Sequence, residues 1–227
     1  MCGRYGISVT KSELKEYLSE NYNIEVLDEN IILPRYNIAP GQDVLSLIND
    51  GTKYRVGLLK WGFVPSWSKD DKIGYKMINA RSETIDQKPS FKKSLVQRRC
   101  VILADGFFEW YRTTSTKTPY YFYLKNNKIF GFAGLWTIKT KDDGSKLYTC
   151  TIITTKANSL MEDIHDRMPV ILSEEAAKTW MNPKIRDVLA LKKILDSDQM
   201  NDLKFHKVSS RVNKAENDDL DLITKID

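Results

Sequence analysis

The chain has only two histidines, His165 and His206, and three cysteines, Cys2, Cys100 and Cys150, among its 227 residues. The cysteines are odd in number, far apart and form no C-x-x-C pair, which excludes a disulfide framework and argues against a structural zinc site. Two histidines are too few for a His-rich metal centre, so neither metal nor cofactor is expected. Long apolar runs are missing too. Charged side chains interrupt each one well short of the ~18 residues that a membrane span requires. The opening Met-Cys-Gly-Arg-Tyr-Gly has no apolar stretch behind a basic flank, so it does not read as a secretory signal. There is no internal repeat and no low-complexity linker. The expectation is a reduced, soluble, cytosolic protein, with no membrane partner.

Apolar residues make up 41 % of the chain and aromatics 11 %, enough for a substantial core. The net charge of +5 is unevenly spread: residues 214–227 hold five acids against two lysines, leaving the body at +8. That balance is compatible with a polyanionic partner and equally with ordinary solubility charge. The chain divides into one domain over residues 1–213 and an acidic tail over 214–227. Segments 43–48, 54–61, 100–110, 120–124, 129–136 and 147–155 are rich in β-branched and aromatic residues. Turn signals such as Pro40-Gly41, Asn49-Asp50-Gly51, Asn126-Asn127 and Asp142-Asp143-Gly144 bound them, so they read as strands. Helical spacing covers 11–20 behind a Thr10 cap, 89–97, 157–164, and 173–181 behind a Ser173 cap. After the Asn182-Pro183 break it resumes over 185–196. Strands predominate and do not alternate one for one with helices. This predicts a single α+β domain with a mostly antiparallel, barrel-like core and scattered helices.

Several polar residues sit in apolar surroundings. Cys2 follows the initiator Met, which processing aminopeptidases remove before a small residue, so the mature chain would begin with Cys2. Its α-amine, of reference pKa ~7.7–8.0, is then partly neutral and nucleophilic near neutrality. Its thiol, of reference pKa ~8.5, stands on the same residue. The bland alternative is an inert cysteine on a loose end. Glu109 ends a hydrophobic strand in Asp105-Gly106-Phe107-Phe108-Glu109-Trp110; among aromatics its pKa would rise towards neutrality, whereas facing water it would do nothing special. His165, in Ile164-His165-Asp166-Arg167-Met168-Pro169, is either a general acid/base or a structural imidazole. Asn79-Ala80-Arg81-Ser82-Glu83-Thr84 offers amide, guanidinium and hydroxyl groups suited to phosphate or sugar oxygens, or to a capped turn. In Trp61-Gly62-Phe63-Val64-Pro65-Ser66-Trp67, Gly62 and Pro65 break regular structure, so Trp67 could stack on a base or cap the core. Cys100 and Cys150 read as core residues, and His206 receives no role.

The order of these segments resembles the SOS response-associated peptidase (SRAP) family of abasic-site-processing proteins. The likeness runs through Cys2-Gly3-Arg4, Pro34-Arg35-Tyr36-Asn37-Ile38-Ala39-Pro40-Gly41, Trp61 to Trp67, Asn79 to Thr84, Arg99-Cys100 to Trp110, Ala133-Gly134-Leu135-Trp136, His165 to Pro169 and Val212-Asn213. Phe108 stands where members often carry Tyr. The resemblance implies an α+β fold around a β-barrel-like core and a covalent bond formed by Cys2. It also implies Asn79, Glu109 and His165 as the remaining catalytic residues, and single-stranded DNA carrying an abasic site as the partner. Arg4, Arg81 and Arg167 would hold phosphates, with Ser82 beside them, while Pro40 and Trp67 would shape the strand. It further implies release of the initiator Met and, where an imine stalls, strand cleavage. Two other classes compete. An N-terminal-nucleophile amidohydrolase also begins Met-Cys-Gly, but its later glutamine-binding and oxyanion motifs are missing here. A non-covalent reader of modified bases would need no free Cys2.

Overall fold

The computed structural model describes residues 2–125, 128–196 and 202–227. Met1 and the Asn126-Asn127 turn signal lie outside the described residues. Among the described residues, thirteen strands and four α-helices follow in the order β1 (Tyr5–Ile7), α1 (Lys11–Tyr22), β2 (Arg35–Ile38), β3 (Asp43–Asn49), β4 (Tyr54–Trp61), β5 (Asn79–Arg81), α2 (Pro89–Gln97), β6 (Arg99–Ala104) and β7 (Gly106–Arg112). They continue with β8 (Lys117–Leu124), β9 (Phe130–Thr140), β10 (Lys146–Lys156), β11 (Arg167–Pro169), β12 (Ile171–Leu172), α3 (Glu174–Met181), α4 (Val188–Asp196) and β13 (Leu203–Lys207). Short 3-10 turns fill several connections.

The pairings close a ring. β4 pairs with β3, β3 with β6, β6 with β9, β9 with β10, and β10 returns to β4. All contacts of this five-stranded barrel are antiparallel except β4–β10, where Thr149 and Cys150 run parallel to Lys60 and Trp61. β10 also carries β5, in parallel, and β11 on its far half. A second, antiparallel sheet runs β13-β8-β7-β1-β2. One core joins the two: Cys100, Leu135, Cys150 and Ile152 of the barrel and Tyr5 and Phe107 of the sheet are wholly buried. The α+β class and the barrel-like core expected from the sequence are both present.

Local chemistry explains most element bounds. Thr10 and Glu13 form a reciprocal capping box at the start of α1, and Asn23 ends it in the left-handed region at φ 56°. Pro89 opens α2, where its missing N–H costs nothing. In the β3–β4 turn, Asp50 accepts from the amides of Thr52 and Lys53, while Gly51 takes φ +98°. Three expectations need correction. The strand expected over 100–110 breaks at Asp105, whose carboxylate accepts from the amide and hydroxyl of Ser8. Beside it, a Cβ on Gly106 would lie 2.1 Å from the Tyr121 ring, so only glycine fits. The break carries the chain from the barrel into the second sheet. Over the stretch expected as a helix at 157–164, residues 159–164 form successive turns: the Met161 and Glu162 amides share the Asn158 carbonyl and the Ile164 and His165 amides share that of Met161, so no regular ladder propagates. α4 begins at Val188, three residues later than its spacing suggested, where Asp187 accepts from the Ala190 amide.

Candidate active site

The seam between barrel and second sheet holds a cavity of about 640 Å³ lined by Gly3, Arg4, Glu109 and His165. Cys2, on the run into β1, directly precedes the lining residue Gly3 and is fully buried. Asn79, the first residue of β5 on the barrel side, donates its Nδ2 proton to the Cys2 carbonyl at 2.8 Å. That contact clamps the backbone of the residue bearing the thiol. Burial holds the Cys2 thiol well above its ordinary value, and the neighbouring Glu109 carboxylate pushes it further in the same direction.

Glu109 projects from β7 and is 2 % exposed. Desolvation raises its carboxyl to about 7, so it is poised to gain or lose a proton at neutrality. His165 sits just before β11, half-buried. Its Nδ1 is 3.0 Å from the Arg167 amide and 2.8 Å from Asp166 Oδ1. The neutral ring accepts from that amide; a proton added to Nδ1 instead finds the carboxylate. Both protonation states therefore have a partner. Burial lowers the His165 pKa and Asp166 opposes that shift.

The cavity rim is cationic. Arg4 Nη1 donates to Asn37 Oδ1 at 2.8 Å and to the Val212 carbonyl at 2.7 Å, which aims its guanidinium along the wall. Arg112 and Lys117 face each other across the β7–β8 pair and line the same cavity. Burial, then Arg112 and Arg4, lower the Lys117 pKa. Trp110 and Asn213 complete this side, with the indole donating to Asn213 Oδ1 at 2.8 Å. Sequence reasoning missed Arg112, Lys117, Trp110 and Asn213. Two cations directly opposite on paired strands are a signal, because that arrangement is unfavourable unless an anion relieves it, but it is readable only once the register is known.

The other expected residues lie around this centre. Arg167 is 6 % exposed, and its fork meets Glu83 through two bonds of 2.6 and 2.9 Å, with Nη2 also donating to the Thr154 carbonyl. Its backbone amide donates to His165 Nδ1. Arg81 is exposed at the end of β5, and Ser82 beside it is buried with no hydrogen-bond partner for its hydroxyl. Pro40 is half-buried in the β2–β3 turn, and Trp67 is 65 % exposed on its loop. Cys100 and Cys150 are buried in the core. His206 Nε2 meets the Ile223 carbonyl, away from the cavity. Among the described residues, no group of three or more His, Cys, Asp or Glu could hold a metal ion, and no helix is long and apolar enough to cross a membrane.

Comparison with known proteins identifies the family of the chain. The profile of the SOS response associated peptidase (SRAP) family matches residues 1–215. The chain is 50 % identical to the abasic site processing protein YoqW of Bacillus subtilis over 225 residues, 98 % of this chain and 99 % of that one. It is 30 % identical to the abasic site processing protein YedK of Escherichia coli across the full length of both. A crystal structure of a Bacteroides thetaiotaomicron protein superposes with a TM-score of 0.84 at 26 % identity, covering 99 % of this chain and all of that one. The chain therefore belongs to the SRAP family.

Proposed function

We propose that this chain captures abasic sites in single-stranded DNA as a covalent adduct on Cys2, shielding the lesion. The observation that supports this reading best is the clamped, buried Cys2 beside Glu109, a carboxyl that titrates at about 7 and lines a cationic cavity. A cavity of this size suits one sugar with its flanking phosphates.

The chemistry follows from the residues. An abasic deoxyribose is mostly a closed hemiacetal, and protonated His165 would donate to the ring oxygen as the aldehyde opens. With Met1 removed, the Cys2 amine adds to the aldehyde carbon. Glu109 passes the protons that let the carbinolamine lose water to an imine. The thiol then adds to the imine carbon, its proton passing to nitrogen, and a five-membered thiazolidine closes. The net change is aldehyde plus cysteine giving thiazolidine plus one water. Both nucleophiles belong to one residue, so ring closure enjoys an effective molarity of ~10⁵ M or more. The burial that keeps the thiol protonated leaves the amine to attack first. An imine that never closes would instead lose the adjacent phosphate, which is lyase chemistry.

The test mixes purified protein with a single strand carrying one abasic site and asks for a complex that survives denaturing electrophoresis. A tag placed before Cys2 turns the amine into an amide and should abolish the adduct; cleavage that exposes Cys2 should restore it. Full crosslinking by the blocked form would overturn the reading. Hydrolysis of glutamine by the pure protein would favour an amidohydrolase instead.

A further inference from the structure

A second cavity, of about 240 Å³, lies outside the catalytic centre. Its wall includes Lys60, Lys72 and Lys141, the ring of Tyr75, and Trp61. Asp71 also lines it, but that carboxylate is paired with Lys139. Among the described residues, the three lining lysines form no ion pair, so the cavity carries a surplus of positive charge. Its backbone is closely fitted. A Cβ on Gly62 would lie 2.9 Å from the Gly74 carbonyl oxygen, and one on Gly41 would lie 3.0 Å from the Tyr75 ring; both glycines have positive φ. These contacts fix the floor of the cavity and the position of a tyrosine that is still 65 % exposed.

The linings of the two cavities touch at one point. Trp61 lines the second and Ile78 lines the first, and the Trp61 indole donates to the Ile78 carbonyl at 2.9 Å. The backbone from Tyr75 to Ile78 spans at most ~11 Å. At ~3.4 Å per stacked nucleotide, a strand covers that distance in roughly three nucleotides or fewer.

We infer that this second cavity is a subsite for a nucleotide of the same DNA strand flanking the lesion, with its base on Tyr75 and its phosphate on Lys72 and Lys141. An exposed aromatic ring beside unpaired cations is the combination that single strands use, since every base has a face to stack and every linkage a charge. The inference rests on the abasic-site reading above, and it adds a register: the strand enters the lesion cavity with one neighbour already held.

The experiment measures equilibrium binding to single strands carrying a central tetrahydrofuran residue, an abasic analogue without an aldehyde, shortened one nucleotide at a time from each end. Wild type should lose affinity when one particular end is trimmed to within about three nucleotides of the lesion. Lys72→Ala with Lys141→Ala should remove that end dependence and flatten the log–log salt slope by up to ~1.4, two single-strand phosphate contacts. Tyr75→Ala should weaken binding to the longer strands about fivefold or more, whereas Tyr75→Phe should match wild type. Identical length dependence and salt slope in the double lysine variant would overturn the subsite. Because the analogue cannot form an imine, this outcome is independent of Cys2. Denaturation-resistant yield of the wild-type protein with an aldehyde-bearing strand at saturating concentration reports the Cys2 chemistry separately, and its absence would overturn the abasic-site reading rather than the subsite.

Discussion

At the scale of single residues, the site sets proton affinity against stability. Glu109 is a carboxyl kept dry by its surroundings, titrating at about 7 against an ordinary 4.5. Its folded-state pKa is raised, so folding favours the protonated form. That contribution is complete below about 4.5 and is lost as the pH climbs through about 7, on the order of 3 kcal/mol in all. Gln has the same shape and never ionises. Glu109→Gln should therefore melt close to wild type at pH 5 and increasingly above it towards pH 8. Its crosslinking should slow by ~10²–10⁴, the usual worth of a general acid/base. Melting curves across pH and single-turnover crosslinking check both halves, and wild-type kinetics would return Glu109 to a structural role. His165 has the opposite problem: burial lowers its pKa, and Asp166 at Nδ1 holds it up. Asp166→Asn should lower the His165 pKa further. Because the protonated ring is the one that acts, the falling limb of the crosslinking profile should move to lower pH, by about 0.2–0.7 of a unit for a solvent-exposed pair. A profile that does not move would separate Asp166 from the titration.

At the scale of elements, Arg99 shows how one side chain fixes several ends. It opens β6, and its guanidinium donates to the carbonyls of Leu95 and Val96 in the last turn of α2, of Trp180 in α3, and of Asn182 and Ile185 beyond it. No carboxylate is involved. The negative ends of two helices supply the acceptors, which suits a cation there. Arg99→Met should cost ~3 kcal/mol or more, since it strands several buried carbonyls at once. Lysine should recover only part of that loss, lacking the planar fork. Denaturant midpoints measure the cost, and crosslinking per folded molecule should stay at the wild-type level because Arg99 does not line the catalytic cavity. The same elements show which features were readable in advance. Thr10 with Glu13, Pro89 and the Asp50-Gly51 turn act within a few residues, so their chemistry is visible in the string. The break at Asp105 was not visible, because the group that decides it, Ser8, lies 97 positions away. Nor was the loss of helix over 157–164, where paired amides converge on the Asn158 and Met161 carbonyls and the ladder stops. For the candidate site, the order of the motifs pointed to Cys2, Asn79, Glu109 and His165, which the fold brings near one another. Arg112 and Lys117 needed the β7–β8 register, and Asn213 a contact across 103 positions.

At the scale of the whole molecule, the end of the chain is fastened to its beginning. Asp218 accepts from the amides of Tyr36 at 2.5 Å and Asn37 at 3.0 Å. Asn37 donates in turn to the carbonyls of Lys214 and Asn217, and its Oδ1 receives Arg4, which also holds the Val212 carbonyl. Leu222 is wholly buried in a small cluster with Phe108, Tyr121, Val208 and Val212, and the Ile226 amide returns to Lys207. Residues 214–227 are acidic, yet they carry buried apolar and hydrogen-bonding groups that end two residues from Cys2, at Arg4. Shortening the chain after Asn217 should therefore do more than remove charge. It uncovers the Leu222 pocket and frees the β2 amides, for a loss on the order of 3–5 kcal/mol in denaturant titrations. It should also loosen Arg4, so that binding to an abasic strand weakens and crosslinking slows even under conditions where the protein remains folded. Leu222→Ala separates the two effects: it should cost ~2–5 kcal/mol of stability while leaving Arg4, Asn37 and Asp218 joined, and its crosslinking per folded molecule should match wild type. Asp218→Ala should do the converse, with a smaller stability loss of ~1–3 kcal/mol and a larger effect on the adduct. Equal crosslinking by all three variants would mean that the acidic end steadies the fold without reaching the site.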